Sequence, residues 1–370
     1  MIDRIEIYGM QIKLDEPFVI SKGALTHARN TVVKIFDHHG NYGTGECCPY
    51  RSIHGETQAG TLAFAKDLAE AMMGRNPEEI HNLVHLMNKM IVGNASVKSA
   101  FDMALYDLNA KNAGKPLYAF LGGSKEKVIM TDNTVSLLPE DKMVAKAQKF
   151  VDQGFSILKL KLGDRPAMND INRVRAVRKA VGDKITLRVD ANQGWNYVEA
   201  KKALFGMVDF NIEHCEEPVH ASNLIDQARL VEISPIPLMA DEAIFSHTDA
   251  LRVVRSKAAD LINIKLGKSG GIYNAMKIAA IAEAGDINCQ LGCFSESRLG
   301  ISAMAHFDLA WNNILFHDLD SPLMLSEDPV TGGITYRKDW TIEVPDTPGH
   351  GADFDPTFLT KFDKITVSRN

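Results

Sequence analysis

In "FSILKLKLG" (155–163) two lysines, Lys159 and Lys161, stand one residue apart inside an apolar run. Side chains alternate across a strand, so both amines share one face while Leu158, Leu160 and Leu162 take the other. Lysines on an edge strand can simply discourage pairing with other chains; buried ones need partners or a task. Farther along, charged residues end one strand-like run after another: Asp190 in "RVDAN", Glu216 in "CEEP", Asp241 in "MADEA", Lys265 in "INIKLG", then Asp318 and Asp320 in "HDLDSP". A buried charge is costly unless it is paired or metal-bound. Three carboxylates supply hard oxygen donors that suit Mg²⁺ and leave positions for water and substrate. No histidine stands at the three positions, which argues against zinc. Salt bridges between each acid and a neighbouring Arg or Lys are the alternative. The lysines are candidate acid/base groups: burial and a nearby cation disfavour an ammonium, so Lys159 would ready Lys161 to accept a proton.

These residues need elements that bring them together. From about residue 130, strand-like runs ("TDNTVSLL", "ILKLKLG", "TLRVDAN", "NIEHCEEPV", "PLMADEA", "LINIKLG", "NCQLGC", "LFHDLD") recur with room for one helix between neighbours. Segments such as "PEDKMVAKAQKFVDQG" and "DINRVRAVRKAVG" carry apolar residues at helical spacing. The alternation predicts an α/β parallel barrel, whose strands present their C-terminal ends, and the charged residues there, on one face. Lysines on the second and sixth strands then face each other across the ring. "GKSGG" (267–271) lacks the first glycine of a phosphate loop and reads as a tight turn opening a helix, with some capacity for anions. Residues 1–125 show strands and then helices, an α+β domain. Residues 126–321 form the barrel, and the Pro/Gly-rich 322–370 segment is expected to pack back on the first domain.

At 370 residues, 45% hydrophobic and 24% charged with a net charge of -6, the chain is an ordinary globular protein, and nothing points to disorder, nucleic acid or an anionic membrane. The start "MIDRIEIYGMQIKL" alternates like a strand and lacks the pattern of a secretory signal, and no apolar run is long enough to span a bilayer. Five cysteines without paired C-x-x-C spacing suit reduced thiols, so a cytoplasmic location is expected.

The K-x-K, D, E, D, K series, in this order over nearly the whole chain, resembles the enolase superfamily and within it the muconate lactonizing subgroup. The resemblance implies a modified TIM barrel, (β/α)7β, under an N-terminal α+β capping domain completed by the C-terminal tail. It implies one Mg²⁺ per subunit on Asp190, Glu216 and Asp241, with Lys161 and Lys265 as the acid/base pair and Lys159 as auxiliary cation. The implied reaction removes the proton α to a carboxylate, giving an enediolate that the metal stabilises. Asp318 and Asp320 resemble the D-x-D signature of dipeptide epimerases, whose acids hold the free α-ammonium group. The expected activity is therefore isomerase, a dipeptide epimerase inverting the α-carbon of the C-terminal residue, in an assembly of identical subunits. A muconate-type cycloisomerase or an N-acylamino acid racemase is the alternative, followed by a non-catalytic metal-dependent binding protein. A cycloisomerase for a dicarboxylate gains nothing from two further acids, which would repel it.

Specificity is expected from cap loops 19–30 and 47–57, with Lys22, Gly23 and Arg29 as candidate contacts. Where relatives acting on Ala-Glu carry an arginine, the alignment places Gly23, so a small or apolar second residue is at least as well supported as glutamate. Ser295 and Glu296 in "CFSESRLG" are expected to line the pocket, His214 to be a packed barrel histidine, and Glu217 and Glu242 to face outward to helices.

Overall fold

The computed structural model describes residues 1–369; Asn370, the last residue of the expected 322–370 segment, lies outside the described residues. The chain opens with an antiparallel meander of Ile2–Ile20, Gly23–Asp37 and Tyr42–Cys47. Its first strand switches buried face along its length. Ile5 and Ile7 pack with residues of the cap helices Gln58–Met72, Ile80–Met90 and Ala95–Asn112, whereas Met10, Ile12 and Leu14 join the barrel-side core. Odd and even positions point to opposite faces, so the sheet is apolar on both. Gly43 and Gly45 let the helix Ala95–Asn112 lie directly on the third strand: a Cβ on either would fall 2.0 Å from a helix carbonyl oxygen, of Ala104 and Ala100 respectively.

The second unit is a sheet of eight strands: Asn133–Val135, Ile157–Lys161, Thr186–Asp190, Ile212–Glu216, Leu238–Ala240, Leu261–Ile264, Asn288–Gly292 and Ile314–Asp318. All neighbours are parallel and follow chain order. A helix follows each of the first seven, from Glu140–Asp152 to Arg298–Asp308, giving the (β/α)7β arrangement. Helix starts are fixed locally, with the side chains of Asn196, Asn223, Ser246 and Ser297 each accepting a backbone N–H of the first turn. Leu158, Leu160 and Leu162 are buried among the helices, which turns Lys159 and Lys161 to the interior.

No ladder joins the first and last strands. The gap is bridged by Leu319 N–H donating to Thr131 Oγ1 (3.0 Å) and by Arg188, which donates to Asp132 Oδ2 (2.9 Å) and to the carbonyl of His317 (2.8 Å). At the C-terminus, Lys364–Ser368 pairs antiparallel with the first cap strand, Arg4 opposite Ser368. The tail thereby completes the cap sheet.

Candidate active site and metal centre

Strand register decides which charged side chains meet. Lys161 lies opposite Asp190 and Asp190 opposite Glu216, while Lys159 lies opposite Arg188, one inward layer deeper. Asp241 and Lys265 each stand one residue past the ends of their strands. The result is a buried set of alternating charges. Lys159 Nζ lies 2.6 Å from Glu216 Oε2, 2.7 Å from Asp318 Oδ2 and 3.6 Å from Asp190 Oδ2. Lys161 Nζ donates to Asp190 Oδ2 (2.6 Å) and Lys265 Nζ to Asp241 Oδ2 (2.8 Å). The acids are also held by neutral partners: Asn263 Nδ2 and Gln290 Nε2 donate to Glu216 (2.8 and 3.3 Å), and Asn192 N–H donates to Asp190 Oδ1 (2.8 Å).

The electrostatics follow from this packing. Burial disfavours the ammonium of Lys159, but Asp318, Glu216 and Asp190 outweigh it and hold the amine charged well above its ordinary range. Burial likewise works against Lys265, and Asp241 and then Glu216 reverse the balance, raising it. For Glu216, burial and Asp190 oppose the charge, yet Lys159, Lys265 and Lys161 keep the carboxyl below its usual range. Lys159 and Lys161 converge on the same oxygen, Asp190 Oδ2, at 3.6 and 2.6 Å, so the two cations that the sequence places on one face share a carboxylate, while Lys159 also rests on Glu216 and Asp318.

Asp190, Glu216 and Asp241 are buried, and their ligand oxygens lie within 4.8 Å of one another. Oxygens on opposite sides of Mg²⁺ are about 4.2 Å apart at a bond length of about 2.1 Å, so the triad fits such an ion with little movement. The salt-bridge alternative is realised at the same carboxylates, each of which also holds a lysine. A second close group, Cys293, Asp318 and Asp320, suits Mg²⁺ less well, since burial and then the two acids push the Cys293 thiol up.

Asp318 ends the eighth strand and Asp320 lies in the following turn, accepting Thr134 N–H at 2.7 Å. Burial raises both acids, but Lys159, Lys161 and Lys265 bring Asp318 down to about 2, whereas Asp320, beside Asp318, is pushed up to about 7. The two line one cavity with Lys161, Asp241, Lys265, Thr134, Cys293 and an apolar set, Phe18, Ile20, Tyr50, Ile53, Phe294 and Met324. The cap closes over it: Ser21 Oγ donates to the carbonyl of Asn192 (2.9 Å), and Leu137 N–H donates to the carbonyl of Val19 (2.9 Å).

Other expected contacts are placed differently. Gly23 is exposed at the hairpin tip with φ of 133°, and Arg29 is exposed opposite Gln11 within the hairpin, so neither reaches the cavity. Lys22 lines a neighbouring groove with Ser52, His220 and Glu242. Ser295 and Glu296 are turned from the cavity: the Ser295 carbonyl accepts Asn30 Nδ2 (2.9 Å) and Glu296 Oε2 accepts Phe294 N–H (2.6 Å), leaving Cys293 and Phe294 as the lining residues. His214 is buried against Phe316, as a packed barrel residue. Glu217 makes the expected helix contact, its Oε1 accepting Gln227 Nε2 (2.6 Å) on Leu224–Ile233, whereas Glu242 bonds a loop residue instead. Glu217, at φ 35°, accepts the N–H groups of Asp241 (2.6 Å) and Ala243 (3.2 Å), tying the fourth strand end to the fifth. Glu242 accepts Asn192 Nδ2 (3.2 Å).

Sequence reasoning missed Lys268. Fully buried, it donates to Asp241 Oδ1, to the Asp241 carbonyl and, at 3.1 Å, to the carbonyl of Asn263. The anion expected at the "GKSGG" turn is also internal: Asp102 of the cap occupies that helix start.

A barrel with acids on three successive strands, flanked by lysines from strands two and six beneath an α+β cap, defines a class of proton-transferring metal enzymes. Family comparison agrees: residues 142–358 match the enolase C-terminal domain-like family and residues 4–122 the N-terminal domain of mandelate racemase/muconate lactonizing enzyme. The chain belongs to this mandelate racemase/muconate lactonizing family of the enolase superfamily. It is 44% identical over the full length of both chains to a D-Ala-D/L-Ala epimerase of Cytophaga hutchinsonii. A crystal structure of the dipeptide epimerase from that organism, complexed with Mg and D-Ala-L-Val, superposes with a TM-score of 0.98 over 100% of each chain. A hydrophobic dipeptide epimerase of Enterococcus faecalis is 39% identical over 95% of this chain and 99% of its own. An L-Ala-D/L-Glu epimerase of Bacillus subtilis is 39% identical over 95% of this chain and 96% of its own.

Proposed function

We propose that the protein is a Mg²⁺-dependent dipeptide epimerase that inverts the α-carbon of the C-terminal residue by 1,1-proton transfer. The observation that carries this reading is one cavity lined by Lys161 and Lys265, from strands four places apart in the barrel, and by Asp241, whose triad partners Asp190 and Glu216 lie within 4.8 Å of it, while Asp318 and Asp320 complete the wall. One lysine takes the α-proton, the C–H electron pair moves into the adjacent carboxylate, and the other lysine's ammonium returns a proton to the opposite face. Mg²⁺ on Asp190, Glu216 and Asp241 would supply the positive charge that favours this transition state. Lys159 keeps Glu216 ionised and oriented. Asp318 and Asp320 receive the substrate's α-ammonium, a charge-assisted contact that a neutral N-acyl group cannot make.

The cations lining the cavity are Lys161 and Lys265, both assigned to proton transfer, and the rest of the lining is rich in apolar side chains. That composition favours a small or apolar C-terminal residue over glutamate. The relatives named for D-Ala-D/L-Ala and hydrophobic dipeptides support the same preference.

A cytoplasmic setting is consistent with five free, buried cysteines, and no helix among the described residues is long and apolar enough to cross a membrane. Exposed apolar residues on adjacent outer helices, Val198, Phe205, Ile225 and Leu251, support self-association through that face.

The test is mass spectrometry of pooled L,L-dipeptides incubated with enzyme and Mg²⁺ in D₂O. Gain of one deuteron in particular dipeptides is expected, together with its loss in Lys161→Ala and Lys265→Ala proteins that still fold and bind Mg²⁺. Exchange in N-acylamino acids but in no dipeptide would overturn the reading.

A further inference from the structure

The two candidate bases are held in different ways. The loop after Lys161 is tied within the barrel, where Asp170 Oδ2 accepts the N–H groups of Gly163 and Asp164 (both 2.9 Å). Lys265 depends on the segment that follows it. Its carbonyl accepts the N–H groups of Lys268 and Ser269 (both 3.0 Å) and Ser269 Oγ (3.0 Å), so the turn Leu266–Ser269 is built on Lys265's own backbone. The chain reverses through Gly270 (φ 75°) and Gly271 (φ 108°) into the helix Ile272–Ala284. There it meets the capping domain. Asp102, fully buried on the helix Ala95–Asn112, accepts Ile272 N–H through Oδ1, and its oxygens lie 3.4 and 3.3 Å from Tyr273 N. A Cβ on Gly271 would fall 2.3 Å from the Asp102 carboxyl carbon, so the carboxylate occupies space that only glycine leaves. The same cap helix is locked to the cap sheet at Gly43 and Gly45.

We propose that Asp102, a capping-domain residue outside the cavity, is a positioning residue for Lys265: it anchors Lys265–Tyr273, so the second base is set only when the cap is seated on the barrel. This rests on the two-lysine reading above. It predicts an asymmetry that a purely structural role does not give, since Lys161 has its own anchor inside the barrel.

The experiment measures α-proton exchange in D₂O for each epimer of one dipeptide separately, using the Mg²⁺-loaded full chain. Lys161→Ala and Lys265→Ala first assign which epimer each lysine deprotonates. Asp102→Ala is expected to slow exchange of the Lys265 epimer at least about tenfold relative to the other, mainly through kcat. Asp102→Asn, which keeps an oxygen acceptor for Ile272 N–H, should restore part of that loss. Glu46→Gln is the control, because Glu46 is another buried cap carboxylate at a barrel-helix start, accepting Ser297 N–H (3.0 Å) and Gly300 N–H (3.1 Å), and that helix carries no base. The ratio of the two half-reactions should be unchanged in it. An equal fall for both epimers, or no fall, in the Asp102 variants overturns the inference; if Asp102→Ala does not fold, the ratio in Asp102→Asn decides. Wild-type protein exchanging no dipeptide would instead overturn the functional reading.

Discussion

Replacing Lys159 by Met tests the charge arrangement most directly. Met nearly matches the length of the side chain but removes the cation that lies 2.6 Å from Glu216 and 2.7 Å from Asp318. Removing one partner of a buried ion pair costs about 3–5 kcal/mol, because the other charge is left uncompensated. Urea unfolding without divalent metal should show a loss in that range. Mg²⁺ binding should move the opposite way. An ammonium and an ion held by the same carboxylates repel by about 4 kcal/mol per unit charge at about 4 Å and an effective dielectric of about 20. Glu216 keeps Asn263 and Gln290 as donors, and Asp190 keeps Lys161 and the Asn192 N–H, so the ligands stay oriented. Isothermal titration should find Mg²⁺ bound at least about tenfold more tightly, while turnover falls about 100- to 1,000-fold through loss of a buried positive charge held beside the ligand carboxylates. A destabilisation under about 1 kcal/mol, or weaker Mg²⁺ binding, would refute the assignment of Lys159 as the internal counter-charge of the triad.

Asp320→Asn should raise KM for dipeptides about 10- to 150-fold, the equivalent of one charge-assisted hydrogen bond, with kcat little changed; an unchanged KM would remove Asp320 from substrate recognition. Burial and the adjacent Asp318 push Asp320 up to about 7, so it loses its negative charge as pH falls through 7. The kcat/KM of wild type should decline on the acid side of that value, and this limb should be missing from the Asp320→Asn profile. Gly271→Ala should destabilise the fold by about 2–4 kcal/mol in thermal or urea unfolding, from a side chain placed at φ 108° against Asp102; wild-type stability would show that the Asp102 contact yields freely.

Much of the barrel and its charge series was legible because two simple periodicities govern them. Alternation along "ILKLKLG" puts leucines and lysines on opposite faces, and strand–helix repetition forces parallel strands whose ends share one rim. Lys159, Lys161, Asp190, Glu216, Asp241 and Lys265 therefore converge wherever the register is set. Asp241 and Lys265, one residue past their strand ends, still join the ring, but other residues there obey neither rule. Cys293 and Phe294 face the cavity while Ser295 and Glu296 turn toward the cap, because the loop winds into a helix start that Glu46 occupies. Glu217 turns back to the fifth strand through a left-handed backbone that no alternation anticipates.

The sequence by itself determined the chemical inventory: which strand ends carry acids, which carry amines, and the order in which a ring presents them. Only the tertiary structure decided the pairings. Lys159 rests on Glu216 and Asp318, Lys268 reaches back to Asp241, and Asp102 crosses from the cap to the Lys265 segment. Such contacts join residues far apart in the chain, and their geometry follows from how cap and barrel pack, which no local spacing encodes.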